Sequence, residues 1–183
     1  MSLSLYIHIP FCGHRCAYCD FNTYTSLGEL KGAYADAVCA ELAQVAGDEK
    51  RPYHTIFFGG GTPSLMPPET IRQILQAVNA HFSPVGVPEI TMEANPGTVD
   101  GAYLTAVAAA GVNRLSFGVQ SAVASELALL ERTHDFATAV QAVAMARAAG
   151  LSNFNLDLIY GLPGQTLASW RESLEAVLAL EPP

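Results

Sequence analysis

Residues 89–95 read "EITMEAN". In an extended chain Ile90, Met92 and Ala94 fall on one face and Thr91, Glu93 and Asn95 on the other. The same alternation recurs in three further β-rich runs. In "LSLYIHI" (3–9), Leu3, Leu5, Ile7 and Ile9 oppose Ser4, Tyr6 and His8; in "NRLSFGV" (113–119), Leu115, Phe117 and Val119 oppose Ser116, Gly118 and the following Gln120. In "NFNLDLIY" (153–160), Phe154, Leu156 and Leu158 oppose Asn155 and Asp157. Together with "HTIFFG" (54–59), these runs alternate with segments of helical spacing, so five βα units follow one another in series.

Five such units imply an α/β fold with a parallel sheet and right-handed crossovers. Parallel strands buried on both faces read as near-continuous apolar runs, and these do not. The apolar faces therefore pack under helices, and the polar faces line an interior that water or a polar ligand occupies. A closed eight-strand barrel fills its interior with branched side chains; the pattern here predicts a partial parallel (βα) barrel with a polar interior.

The helical segments carry their own markers. Ala35, Val38, Leu42 and Val45 define the first face, and Ile71, Ile74, Leu75 and Val78 the second, which Pro67 and Pro68 open. Tyr103, Leu104 and Val107 belong to a third, ended by Gly111, and 136–149 is an alanine-rich fourth ended by Gly150. Trp170, Leu174, Val177 and Leu178 predict the last, with Ser169 and Glu172 as a capping box. The closing "LALEPP" reads as a helix end before a further strand, so the chain is expected to be part of a longer protein.

At 183 residues, half of them hydrophobic, the chain can bury one sizeable core. Nine Lys and Arg against seventeen Asp and Glu give a net charge of −8 with no basic run, which disfavours a nucleic-acid surface. No window approaches the ~20 apolar residues of a membrane span, and the N-terminal run is interrupted by Ser4, His8 and Pro10. The expectation is a cytoplasmic protein, where clustered cysteines bind metal or react more often than they pair.

Cys12, Cys16 and Cys19 lie in "IPFCGHRCAYCDF" (9–21), just past the end of the first strand, with spacing C-x-x-x-C-x-x-C. Strand C-terminal ends are where α/β folds place ligands. Three thiols do not make a closed disulfide framework. A structural zinc would take His8 or His14 as a fourth ligand. A four-iron, four-sulfur cluster on three thiolates leaves one iron open to a small molecule carrying an amine and a carboxylate. Cys39, inside a helical pattern, reads as a small packed residue and stands outside the set.

The cysteine triplet, "GGGTPS" after the second run, "EAN" on the third, "SFGVQS" on the fourth and "NLDLIYGLPGQT" on the fifth together resemble radical S-adenosylmethionine (SAM) proteins. Within these the sequence is similar to the group around oxygen-independent coproporphyrinogen III oxidase. The resemblance implies that residues 1–183 form the radical SAM core, ending before the last barrel strand and a C-terminal domain. It implies that Cys12, Cys16 and Cys19 hold a [4Fe-4S] cluster and that SAM takes the fourth iron. Tyr6, Tyr18, Gly60, Gly61, Thr62, Glu93, Gln120, Arg132 and Asp157 match cofactor-contact positions, some of them serving a second SAM. Glu93 and Asp157 have independent support from the strand alternation, since carboxylates buried without partners are costly.

The resemblance further implies an electron donor, reductive cleavage of SAM, and one of two roles. An oxidase would convert coproporphyrinogen III propionates to vinyl groups; a heme chaperone would hold heme and pass it to an acceptor protein. The oxidases carry a further cysteine two residues after the third ligand. Here Asp20 and Phe21 follow Cys19, which is similar to the heme chaperone branch.

Overall fold

The computed structural model describes residues 2–47 and 50–183. Five strands, β1 (Leu3–Ile9), β2 (Pro52–Gly60), β3 (Ser83–Ala94), β4 (Arg114–Gln120) and β5 (Phe154–Leu158), form one sheet. Every pairing is parallel and the order is β1-β2-β3-β4-β5. Because right-handed crossovers between consecutive neighbours all place their helices on the same side, one sheet face is covered and the other is left concave. β5 does not pair with β1, so the barrel is partial, as the alternation predicts.

The helices are α1 (Lys31–Ala46), α2 (Pro68–His81), α3 (Gly101–Ala110), α4 (Ala124–Leu129), α5 (Phe136–Ala148) and α6 (Leu167–Leu178). Ile71, Ile74, Leu75 and Val78 of α2 are buried, as their spacing predicts. They pack in one core with Leu104 and Val107 of α3 and with Ile9, Phe58, Met92, Leu115 and Phe117 of the sheet. Among the described residues no helix is long and apolar enough to cross a membrane.

Three expectations need correction. The cap of α6 is Thr166, whose hydroxyl accepts from the Ser169 N–H while the Ser169 hydroxyl accepts from the Thr166 N–H; the box therefore starts three residues before Ser169. On α1, Val45 is exposed, and on α6, which packs on the edge strand β5, so are Leu174 and Leu178. β3 starts at Ser83, six residues before "EITMEAN". Pro84 and Pro88 hide this start, and the register jumps from Tyr53↔Pro84 to Thr55↔Glu89, so the extra β3 residues bulge outward.

The concave face is only partly polar. Its β3–β5 side carries Thr91, Glu93, Ser116, Asn155 and Asp157, but β2 presents Phe57, stacked on Tyr6 with ring centroids 6.1 Å apart.

Candidate functional site

The cysteine loop is closed at its base by backbone bonds. Cys12 N–H donates to Tyr24 O at 3.0 Å and Tyr24 N–H to Pro10 O at 2.7 Å, while buried Phe11 packs edge-on against Tyr34. Within the loop, Cys19 N–H donates to Cys16 O at 3.0 Å and the Arg15 guanidinium to Cys19 O at 3.2 Å. All three thiols are half-buried. His8 is committed elsewhere: its Nε2 lies 3.0 Å from Asn22 O and its Nδ1 3.1 Å from the Tyr6 hydroxyl. His14 faces Glu131 at 3.8 Å. Among the described residues no three His, Cys, Asp or Glu side chains converge as one metal ion requires.

The glycine turn after β2 lies against this loop. Gly61 N–H donates to Ile9 O at 2.7 Å and Thr62 N–H to Phe11 O at 2.8 Å, while the Thr62 hydroxyl donates to Cys12 Sγ at 3.5 Å. Gly60 adopts φ +115°, a conformation that favours glycine, and a Cβ there would strike the His8 ring. Its N–H donates to Glu93 Oε2 at 3.0 Å.

The floor comes from β3, β4 and β5. The β4–β5 register skips between Gly118 and Gln120, and Gln120 takes φ +71°, turning out of the ladder at the cavity. The segment after α4 reaches back across the mouth. Arg132 donates through Nη2 to Gly118 O at 2.7 Å and through Nη1 to Cys16 Sγ at 3.5 Å and the Tyr18 hydroxyl at 3.4 Å. Its buried Nε has no partner. Buried His134, whose Nε2 lies 3.2 Å from Val119 O, is kept neutral by burial, which pulls its pKa down to about 4.

These groups line a solvent-open cavity of about 240 Å³, slightly smaller than the roughly 300–1,000 Å³ of typical ligand sites. The cavity brings together Cys12, Cys16, Cys19, Tyr18, Gly60, Gly61, Thr62, Glu93, Gln120, Arg132 and Asp157. It does not include Tyr6, which is 60% exposed and spends its hydroxyl on His8. Ser116, Gly118, Asn95 and Phe21 also line it. The first two had a signal in the period-two reading of β4, and Asn95 in that of β3. α4 had none, being too short to show a period.

Burial is the main cause that pushes the Glu93 carboxyl above the usual carboxylate range. The Gly60 N–H opposes this, Asp157 adds to it, and His8 opposes it weakly. A carboxyl whose folded pKa is raised contributes stability at low pH that is lost as pH rises through the folded value. On its own Glu93 therefore contributes stability that falls as pH rises above about 4, while His134, held neutral down to about pH 4, contributes the opposite slope; Glu93→Gln should make the ligand-free protein's melting temperature rise more steeply with pH than in the original protein. An unchanged pH dependence in the variant would show that Glu93 makes no such contribution.

The donor set fits an iron–sulfur cluster with a zwitterionic ligand. Three thiols flank the cavity, Thr62 and Arg132 donate toward sulfur, the Glu93–Asp157 pair favours a cationic group, and the partnerless Arg132 Nε suits an anionic one. The family model of the Radical SAM superfamily matches residues 6–177, and the chain belongs to that superfamily. Membership implies SAM and a [4Fe-4S] cluster.

More particularly, the chain is 43% identical over 183 residues to the heme chaperone HemW of Escherichia coli K12, covering 99% of this chain and 48% of that protein. It is 40% identical over 178 residues to the mitochondrial radical S-adenosyl methionine domain-containing protein 1 of Mus musculus, covering 96% and 40%. Among solved structures, coproporphyrinogen III oxidase (HemN) from Escherichia coli matches with TM-score 0.90 at 33% identity, over 99% of this chain and 42% of that one. The chain thus spans about half the length of the curated relatives it matches.

Proposed function

We propose that residues 1–183 are the cofactor-binding core of a heme chaperone, a protein that holds heme and delivers it to an acceptor protein. In this reading Cys12, Cys16 and Cys19 carry the [4Fe-4S] cluster. Gly60, Gly61, Thr62, Glu93, Gln120, Arg132 and Asp157 receive SAM, and Tyr18 packs beside it. Tyr6 is left with a supporting role through His8. When bound, cluster and SAM supply one-electron chemistry. The protein's residues orient the ligand and shield the cluster: the Thr62 hydroxyl and Arg132 guanidinium donate to the cysteine sulfurs, and the Glu93–Asp157 pair faces the cationic part of SAM. Free thiols suit a reducing compartment, which we take to be the cytoplasm, with an electron donor drawn from it.

The observation that carries the reading is Phe21. It stands 64% exposed in the cavity wall, two residues after Cys19, where the oxidases place another thiol. Similarity to the HemW proteins supports the same choice. The structural match to HemN favours a second reading, the oxygen-independent oxidation of coproporphyrinogen III.

The two separate when the whole protein carrying this chain is reconstituted anaerobically and offered heme and coproporphyrinogen III in parallel. Stoichiometric heme binding with no turnover of coproporphyrinogen is the expected result. Turnover without stable heme binding would overturn the chaperone reading.

A further inference from the structure

Beside the cavity floor, one chain of hydrogen bonds has its polarity set from both ends, by the donors of Arg114 and by the accepting carboxylate of Asp157. Arg114, opposite Thr91 on the concave face, donates through Nη2 to Asn155 Oδ1 at 2.6 Å and through Nη1 to Thr91 Oγ1 at 3.4 Å. Its Nε lies 3.9 Å from Glu89. A guanidinium has donors only, so Asn155 must turn its carbonyl toward Arg114 and its NH2 away. That NH2 then donates to Asp157 Oδ1 at 2.7 Å and to Ser116 Oγ at 2.9 Å, which leaves the Ser116 hydroxyl proton for Asp157 Oδ2 at 2.8 Å. Each Asp157 oxygen accepts one bond from the sheet, and the exposed carboxylate keeps its remaining lone pairs toward the cavity.

We propose that Arg114 and Asn155 are positioning residues that fix Asp157 as a fully oriented acceptor for N–H or O–H donors of the bound SAM. Neither lines the cavity; they act through the direction of one amide. The inference rests on the SAM-binding reading above. It predicts that charge at position 114 matters less than the absence of an acceptor there. Lysine is also donor-only and preserves the amide orientation. Glutamine offers a carbonyl as well, so the Asn155 amide is no longer held from both ends and its donation to Asp157 weakens.

The test is equilibrium dialysis of labelled SAM against the anaerobically reconstituted protein, with cluster absorbance and far-UV circular dichroism as controls. Arg114→Gln should weaken SAM binding about tenfold, a loss on the scale of one charge-assisted hydrogen bond. Arg114→Lys should stay within about threefold of the original protein, and Asn155→Leu should match Arg114→Gln. Cluster content and fold should be unchanged in all three. Equal affinities for the lysine and glutamine variants would overturn the relay while leaving the cofactor reading intact. Absence of SAM binding in the unaltered protein would instead remove the cofactor reading, and the relay with it.

Discussion

Cys16→Ala should bring the iron and sulfide content of the reconstituted protein to background and abolish its visible absorption, whereas Cys39→Ala should leave both intact. A cluster on three thiolates has no spare protein ligand among them, so losing one removes a corner and not a fraction of the affinity. Cys16 is the informative position because its surroundings are the most specific. Its carbonyl accepts from Cys19 N–H, its sulfur accepts from Arg132, and Arg132 is itself anchored on Gly118 O. Cys39 sits in α1 with its sulfur 3.9 Å from Gln73 O, outside the cavity lining. The fold should survive either change, since neither thiol is a fully buried core group; the stability cost should stay within about 1 kcal/mol. Stoichiometric zinc without sulfide, bound by the original protein and lost in Cys16→Ala, would replace the cluster with a structural metal.

The expectation about the cysteines could be formed from sequence because two local signals coincide there: a strand end and a fixed thiol spacing. The floor was legible for a related reason. Period-two alternation in "EITMEAN" and "NRLSFGV" reports directly which side chains share a face, so Glu93 and Ser116 are each assigned to a polar face by sequence alone. Where two elements meet through backbone, that kind of signal is missing. Nothing in "LLERTHD" says that residues 130–134 cross the mouth, because Ala17 N–H to Leu130 O and Arg132 to Gly118 O are contacts between distant segments with no periodic trace. The position of Tyr6 outside the cavity lining was hidden for a similar reason. Its face follows from alternation, but its partner His8, two residues on along the same face, and the Phe57 ring draw it away from the cavity. The α6 cap slipped by three residues because Ser169 satisfies two patterns, and the chain uses it as the third residue of a box that Thr166 begins.

Gly61→Ala should damage both the fold and the cluster site. A Cβ at Gly61 would lie 2.7 Å from Phe11 O, 2.9 Å from Ile9 O and 3.1 Å from Cys12 Sγ, where β1 ends and the cysteine loop begins. Two of these neighbours are backbone carbonyls that already accept from Gly61 and Thr62, so they cannot move aside without breaking the bonds that hold the two loops together. The requirement is space and not dihedral freedom, since Gly61 is not among the glycines with positive φ. Overpacking of this kind costs about 1–3 kcal/mol, which for a chain of this size lowers the melting temperature by roughly 5 °C. Displacing Cys12 should also cost most of the cluster. Gly13→Ala is the control, because it adds the same methyl inside the cysteine loop itself, yet its Cβ would meet only Leu65 Cδ1 at 3.9 Å. It should keep both the melting temperature and the visible absorption. If the two variants retained equal iron and sulfide, the close contact between the glycine turn and the cysteine loop would not be what sets the thiol geometry.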